Sequence, residues 1–453
     1  MYNKKILEIL KKHNISIGDK IEVIYPDRTY QGILLDRQKG GNENCIVLKL
    51  SLGYNIGLNI TNAKLSKLSG GVCLESSSSN EKEKEKKEDF ENASVLLMSG
   101  GTISSKVDYL TGAVDSKLNS EQLIQLYPEI KNFGKIATKN LFTLLSENIA
   151  QDEWEKMAQE IKNIFDDQAS SIVLLHGTDT MGYTAAALSY SLEGLGKPVI
   201  LTGSQRSSDR PSSDAKQNLL CSLAASKENI AGVFVCMHAT TSDNYNFLHL
   251  GTRVRKNHTT ARWAFKSIGI KPVGKIFAQN FKVEFDPFFV PKPRSLNKIN
   301  LKNKFSKNVH IAWGYPGIGV EEIKHWTKYD GVVLVGTGMG HFPIYSQHPK
   351  IEKKILSELK ELVDSGIVLV MASQAIEGRI MLQTYSTGRL LEDIGIIGNG
   401  CDWLVETAYV KLCWALGQTK NPKKVKEIML TPINNDITPY SIVQTAQDEE
   451  QGQ

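Results

Sequence analysis

The sequence predicts an α/β protein: two α/β domains with parallel sheets, preceded by a small β-barrel-like N-terminal module. Three observations carry this reading. Near-continuous apolar strands (ASVLLMSGG, SSIVLLHG, PVILTGS, GVFVCMH) alternate with helix-period segments, the pattern of parallel strands covered on both faces. Before residue 75 the strands are short and roughly alternating, with turn signals at Gly18-Asp19, Pro26-Asp27 and Gly40-Gly41, as in a small barrel or sandwich. Between the two patterns, residues 76–91 read SSSSNEKEKEKKEDFE, too polar to bury a core, and are expected to form a charged linker.

The elements follow in order. A polar helix over Ile6 to His13 opens the module of residues 1–75, and IGDKIEVIYPDRTYQGILLDR, CIVLKL and YNIGLNI supply its strands. The first α/β domain is expected over 92–290. Its helices include 151–168, where Trp154, Met157, Ile161 and Ile164 share one face, and 213–226. A Pro- and Lys-rich connector, 291–307, leads to a second α/β domain over 308–440. There VHIAWG, GVVLVGTG and GIVLVMASQ read as strands, with helices near 320–327, 350–364 and 402–416.

Composition narrows the function classes. A hydrophobic fraction of 41% and a charged fraction of 23% are those of a globular protein, and no apolar stretch nears the ~20 residues of a membrane span. A net charge of +5 spread over 453 residues is not the concentrated basic stripe of an independent nucleic-acid binder. The six cysteines (Cys45, Cys73, Cys221, Cys236, Cys401, Cys413) include no Cys-x-x-Cys pair, so neither a zinc site nor a disulfide framework is expected. The opening MYNKKILEILKKHN has no long apolar segment of a secretory signal, and the expected location is cytoplasmic.

In open α/β sheets ligands bind beyond the carboxyl ends of the strands, so the residues where apolar strands stop are the informative ones. The first stops at Ser99-Gly100-Gly101-Thr102, which places a hydroxyl after a glycine turn without the spacing of a phosphate loop. The second stops at His176-Gly177-Thr178-Asp179-Thr180, where Thr178 or Asp179 serves equally well as a helix cap. The third runs into GSQRSSDRPSSDAKQNL, rich in capping residues and read mainly as structure. GTRVRKNHTTARWAFKS, residues 251–267, is the most basic stretch, and suits an RNA-facing patch, a solvated strand, or a source of a functional lysine, Lys256. Two hydroxyls, a carboxylate and a lysine suit a nucleophile activated without histidine. GTGMGHFP is a weak dinucleotide signal better read as a tight turn, and no ATP site is expected in this chain.

These motifs resemble the L-asparaginase/amidase family over about residues 92–430. MSGGTI resembles the family's first nucleophile motif, with Ser99 where threonine is more usual, and HGTDTM resembles the second. Lys256 in VRKNHTT is similar to the catalytic-lysine segment, Tyr109 in DYLTGAV to the tyrosine on the flexible loop, and Ser146 in LLSENI to a substrate-contacting serine. The resemblance implies Thr102, Thr178, Asp179 and Lys256 as catalytic, with Tyr109, Ser146 and Glu147 as loop or substrate-contacting residues and no metal. The 103–116 loop is then a candidate lid.

Within that family the chain is most similar to the D subunits of archaeal glutamyl-tRNA(Gln) amidotransferases. GDKIEV, YQGILL and VLKLSLGYNIG resemble the barrel module that free asparaginases lack, and Glu147-Asn148 stands where those enzymes tend to have Gln-Asp. That resemblance implies release of ammonia from glutamine and its transfer to a partner, the amidotransferase E subunit. The partner would hold ATP and Mg and most of the Glu-tRNA(Gln), in a heterodimer or a dimer of heterodimers. A free cytoplasmic asparaginase or glutaminase, and a non-catalytic scaffold on an inactive amidase fold, are the alternatives.

Overall fold

In the computed structural model the residues described are 2–36, 43–50, 55–68, 89–101, 106–107, 114–115, 127–207, 212–344 and 354–441. The N-terminal module has its own core. Helix α1 (Lys4–Lys12) starts where the Asn3 side chain accepts the Ile6 N–H at 2.9 Å. Five antiparallel strands follow: β1 (Lys20–Ile24), β2 (Thr29–Leu35), β3 (Cys45–Leu50), β4 (Asn55–Asn59) and β5 (Lys64–Lys67). Their order, β4-β3-β2-β1-β5, is an open sheet with β4 and β5 at its edges. Ile21, Val23, Leu34, Ile46, Leu48 and Leu58 face one side, where Ile6 and Leu10 of α1 cover them. The alternation of small barrel strands is present, and among the described residues no pairing closes the sheet into a barrel.

Among the described residues the first α/β domain is built on a sheet of eight strands. They are β6 (Ser94–Met98), β9 (Ile136–Asn140), β10 (Ser171–Leu175), β12 (Pro198–Thr202), β13 (Gly232–His238), β14 (Tyr245–Leu250), β17 (Gly274–Phe277) and β18 (Val283–Phe285). Short pairs outside that sheet include β7 (Lys106–Val107) with β8 (Val114–Asp115), and β15 (Val254–Lys256) with β16 (Phe265–Ser267). The order is β18-β17-β14-β13-β12-β10-β6-β9, parallel from β9 to β13 and antiparallel from β13 to β18. The expectation of a parallel sheet therefore holds for one half only. The second half folds back directly between β13 and β14 and between β17 and β18, short connections that antiparallel pairing permits and parallel pairing does not.

Every residue of β6, β10 and β12 is buried because both faces are covered. Val95, Leu97, Ile172, Leu174, Val199 and Leu201 face the side of helices α2 (Gln151–Asp166) and α3 (Met181–Ser191). Leu96, Met98, Val173, Leu175 and Ile200 face α4 (Ala215–Ala225) on the other. Phe90, assigned above to the charged linker, is buried in the first of these cores, and Asp89 pairs with Lys135 at 2.6 Å, so residues 89–91 belong to the domain.

The 291–307 connector is held against the first domain. Arg294 donates to the carbonyls of Ser170, Ser226 and Glu228 at the amino ends of the sheet. Strand β19 (Asn300–Leu301) then pairs with β11 (Leu192–Glu193), which follows α3 directly. The second domain has, among the described residues, three parallel strands, β20 (Val309–Trp313), β21 (Gly331–Gly336) and β22 (Val368–Ser373). Its helices are α5 (Val320–Lys324), α6 (Lys354–Asp364), α7 (Ser386–Asp393), α8 (Val405–Gln418) and α9 (Pro422–Leu430). Helix α8 packs on α3, with Tyr190 and Trp414 stacked at 5.5 Å, and one apolar core runs through both domains. No helix among the described residues is long and apolar enough to cross a membrane.

Candidate active site

The site gathers where parallel strands end. β6 leaves the sheet through Gly100 and Gly101, whose φ of +105° and +92° only glycine adopts without strain. A side chain on Gly101 would run into the backbone of Gly177, and one on Gly177 would meet Ser146 Cβ at 2.6 Å. The two turns therefore lie backbone against backbone. Ser146, nearly fully buried, sits against Gly177 in a short 3-10 turn (Ser146–Asn148), and its carbonyl accepts the Thr180 hydroxyl at 2.6 Å. The neighbouring Glu147 is exposed.

Lys256 closes the group from the antiparallel half. Its Nζ donates to Thr178 Oγ1 at 2.9 Å and to Asp179 Oδ1 at 2.8 Å. Thr178 is buried and the lysine side chain is 13% exposed, while the Asp179 carboxylate is 67% exposed, so the pair is dry on the hydroxyl side and wet on the carboxylate side. Close approach makes this reach possible. A Cβ on Gly182, in the first turn of α3, would stand 2.9 Å from the Val254 carbonyl. Of the residues picked from sequence, Thr178, Asp179, Lys256, Ser146 and Glu147 are placed within this region. Thr102 and Tyr109 lie outside the described residues, and of the candidate lid only β7 and β8 are described, paired antiparallel.

One supporting group escaped the sequence reading. His176 is fully buried, and burial pulls its pKa down to about 4, so it is neutral at pH 7. Its Nδ1 lies 2.7 Å from the Gly177 carbonyl, which can only accept, so Nδ1 carries the proton. Nε2 then accepts from Thr184 Oγ1 at 2.9 Å, and Thr184 accepts from Trp154 Nε1 at 3.2 Å. This chain fixes the carbonyl orientation one residue before Thr178. The signal available was a histidine directly before the Gly-Thr-Asp-Thr run, and nothing local distinguishes an anchor from a ligand.

On the other side, Asp214 is buried and accepts the N–H groups of Gln205 and Arg206 at 3.0 Å, holding the end of β12 in a tight loop. Burial raises its pKa, partly offset by those N–H donors. This agrees with a structural reading of that stretch. Among the described residues no cluster of His, Cys, Asp and Glu could hold a metal.

Three family models match the chain. They are the asparaginase N-terminal domain over residues 94–288, the glutaminase/asparaginase C-terminal domain over 308–429, and the GatD N-terminal domain over 15–68. The glutamyl-tRNA(Gln) amidotransferase D subunit from Methanosphaera stadtmanae is 39% identical over 441 residues, 96% of this chain and 97% of that protein. The same-named protein from Pyrococcus horikoshii is 40% identical over 445 residues, covering 96% and 98%. The chain belongs to the D-subunit family of glutamyl-tRNA(Gln) amidotransferases.

Solved structures similar to this D-subunit family member include the thermostable L-asparaginase from Thermococcus kodakarensis, with TM-score 0.68 and 28% identity. L-asparaginase I from Vibrio cholerae follows at 0.65 and 26%. They are covered over 99% of their length but span only 76% and 77% of this chain. The fold is thus that of the asparaginases, with further residues added.

Proposed function

We propose that this chain is the glutaminase component of a tRNA-dependent amidotransferase that converts Glu-tRNA(Gln) to Gln-tRNA(Gln). It releases ammonia from glutamine and supplies it to the amidotransferase E subunit, which binds ATP and Mg, activates the glutamate and holds most of the tRNA. The observation that carries this reading is the Thr178–Lys256–Asp179 cluster at the carboxyl ends of the sheet, on a chain whose N-terminal module matches the GatD N-terminal domain. A free L-asparaginase has no evident use for that module.

In the mechanism we assign, the Thr102 hydroxyl attacks the side-chain amide carbon of glutamine, with Tyr109 assisting. Its proton passes to the leaving amine, ammonia departs, and water then hydrolyses the acyl-enzyme to glutamate. Lys256 and Thr178 form the second hydroxyl–amine pair. Because Lys256 donates to Thr178 Oγ1, the hydroxyl's own hydrogen is free to turn toward a substrate oxygen or a water. Asp179, exposed and anionic, binds the substrate ammonium while orienting Lys256, and Ser146 meets its carboxylate. The diffuse charge of +5 leaves strong tRNA binding to the partner.

The test separates the two half-reactions. In the complex with the E subunit, Thr178→Ala and Thr102→Ala should abolish glutamine-dependent amidation while amidation with added ammonium salt persists. Loss of both activities in a folded complex would show that production and use of ammonia are not on separate chains.

A further inference from the structure

The two elements that carry the candidate catalytic pair are held by one turn far along the chain. Asn434 and Asn435 both adopt left-handed backbone, with φ of +49° and +61°. This is a conformation asparagine tolerates better than most residues. Their carbonyls point at the turn that leads into β15 and Lys256. Thr252 Oγ1 donates to the Asn434 carbonyl at 2.6 Å, and Arg253 Nε donates to the Asn435 carbonyl at 2.6 Å. The same turn grips the far end of α3, whose first turn follows Thr178 and Asp179. Asn434 Nδ2 donates to the Ser189 carbonyl at 2.6 Å, and the Tyr190 hydroxyl donates to Asp436 Oδ2 at 2.8 Å. Lys411 in α8 pairs with that carboxylate at 2.7 Å, both groups fully buried.

Arg253 is the hub. It is fully buried, and its Nη1 and Nη2 reach the Asp402 carbonyl at 2.8 Å and the Asp402 carboxylate at 3.0 Å. Asp402 also accepts the Thr438 N–H at 2.9 Å, tying Arg253 to the chain beyond the turn. A planar guanidinium makes three separate contacts in fixed directions, which a lysine ammonium at the same place does not reproduce. None of these atoms touches Lys256.

From this geometry we infer that Arg253 is a positioning residue for Lys256, acting through β15 and the Asn434–Asp436 turn, which together set the spacing between Lys256 and Thr178. The inference rests on the glutaminase reading above. It places a determinant of the first domain's chemistry in the last described segment of the second domain. Misplacement of a catalytic group by about 1 Å can cost on the order of 100-fold in rate.

The test compares Arg253→Lys, Thr252→Val and Lys256→Met in the full chain purified with its partner. Each is assayed for glutamine hydrolysis and thermal unfolding. We expect Arg253→Lys to lower kcat by about 10-fold or more with KM within about twofold. Thr252→Val, which removes one hydrogen bond and keeps side-chain volume, should lower kcat by about threefold with little change in Tm. If Lys256→Met hydrolyses glutamine at the wild-type rate, the glutaminase reading of the site fails. If Lys256→Met is inactive but both Arg253→Lys and Thr252→Val keep wild-type kcat, the positioning role is overturned and the reading stands. Should Arg253→Lys fail to fold, Thr252→Val decides: lowered kcat supports the inference, unchanged kcat overturns it.

Discussion

The two halves of the eight-stranded sheet contribute to the site in different ways. In the parallel half the chain must leave each strand at its carboxyl end to begin a crossover helix, so turns such as Gly100-Gly101 and Gly177-Thr178 collect at one edge. In the antiparallel half the chain turns back at either end, and Lys256 arrives on a hairpin outside the sheet between β14 and β17. The parallel half places its hydroxyls and carboxylate by topology. The antiparallel half places its lysine by specific contacts, the Gly182–Val254 approach and the grip of Arg253. A site assembled from both has one arm set by the fold and another set by individual residues.

The sharpest way to break the parallel arm is Gly101→Ala. A positive φ combined with a collision against the Gly177 backbone should cost about 3 kcal/mol or more, and chemical denaturation of the variant measures it. An unchanged midpoint would mean that the two turns can separate. For the other arm, Lys256→Met should lower glutamine hydrolysis about 100-fold or more while leaving the thermal midpoint nearly unchanged, since the carboxylate it pairs with is mostly solvated.

Each half also buries a neutral histidine, and acid distinguishes them. His176 in the parallel half titrates at about 4 and His249 in the antiparallel half at about 3, both lowered by burial. The unfolded chain takes up these protons near pH 6.5 and the native state does not, so the stability they contribute is complete above pH 6.5. It falls as pH drops from 6.5 toward 4, by roughly 3 kcal/mol for His176 at the lower limit. Replacing His176 by asparagine should flatten that part of the stability–pH curve. At pH 7 the ranking is set by hydrogen bonds. His176 has both ring nitrogens engaged, whereas His249 Nε2 has no partner among the described residues. His176→Phe should therefore cost about 2 kcal/mol and His249→Phe under about 1 kcal/mol, from urea denaturation of the two variants. Equal costs would show that the hydrogen bonds of His176 contribute little.

The smallest expected effect is that of Gly182→Ala. It places a methyl 2.9 Å from the Val254 carbonyl and should push β15 outward enough to lower the hydrolysis rate about threefold, with KM unaltered. A rate equal to wild type would mean that β15 adjusts freely, and that the antiparallel arm is less specific than its contacts suggest.

Much of this was legible in the residues themselves. Runs such as SVLLM and SIVLL, buried throughout, announce parallel strands because apolar side chains on both faces leave no solvent side. Thr178 and Asp179 were legible as polar residues just past the carboxyl end of such a run, whereas Lys256 was only one reading of a basic stretch and was picked out by the family resemblance. Local pattern carried no trace of how strands far apart in the chain would meet. Periodicity reports which face of an element is buried and is silent on its partner. The mixed direction of the sheet, the neutral His176 relay, the seating of Arg294 at the amino ends, and the turn at 434–436 that holds Thr252 and Arg253 just before β15 all depend on contacts between distant segments. The sequence by itself determined where the chain would be apolar, where it would turn, and which side chains would stand at strand ends. Only the tertiary structure decided that Lys256 Nζ lies 2.9 Å from the Thr178 hydroxyl, because the two motifs are 77 residues and more apart in the chain and meet only where Gly182 lets the Val254 backbone approach and the 434–436 turn holds Thr252 and Arg253.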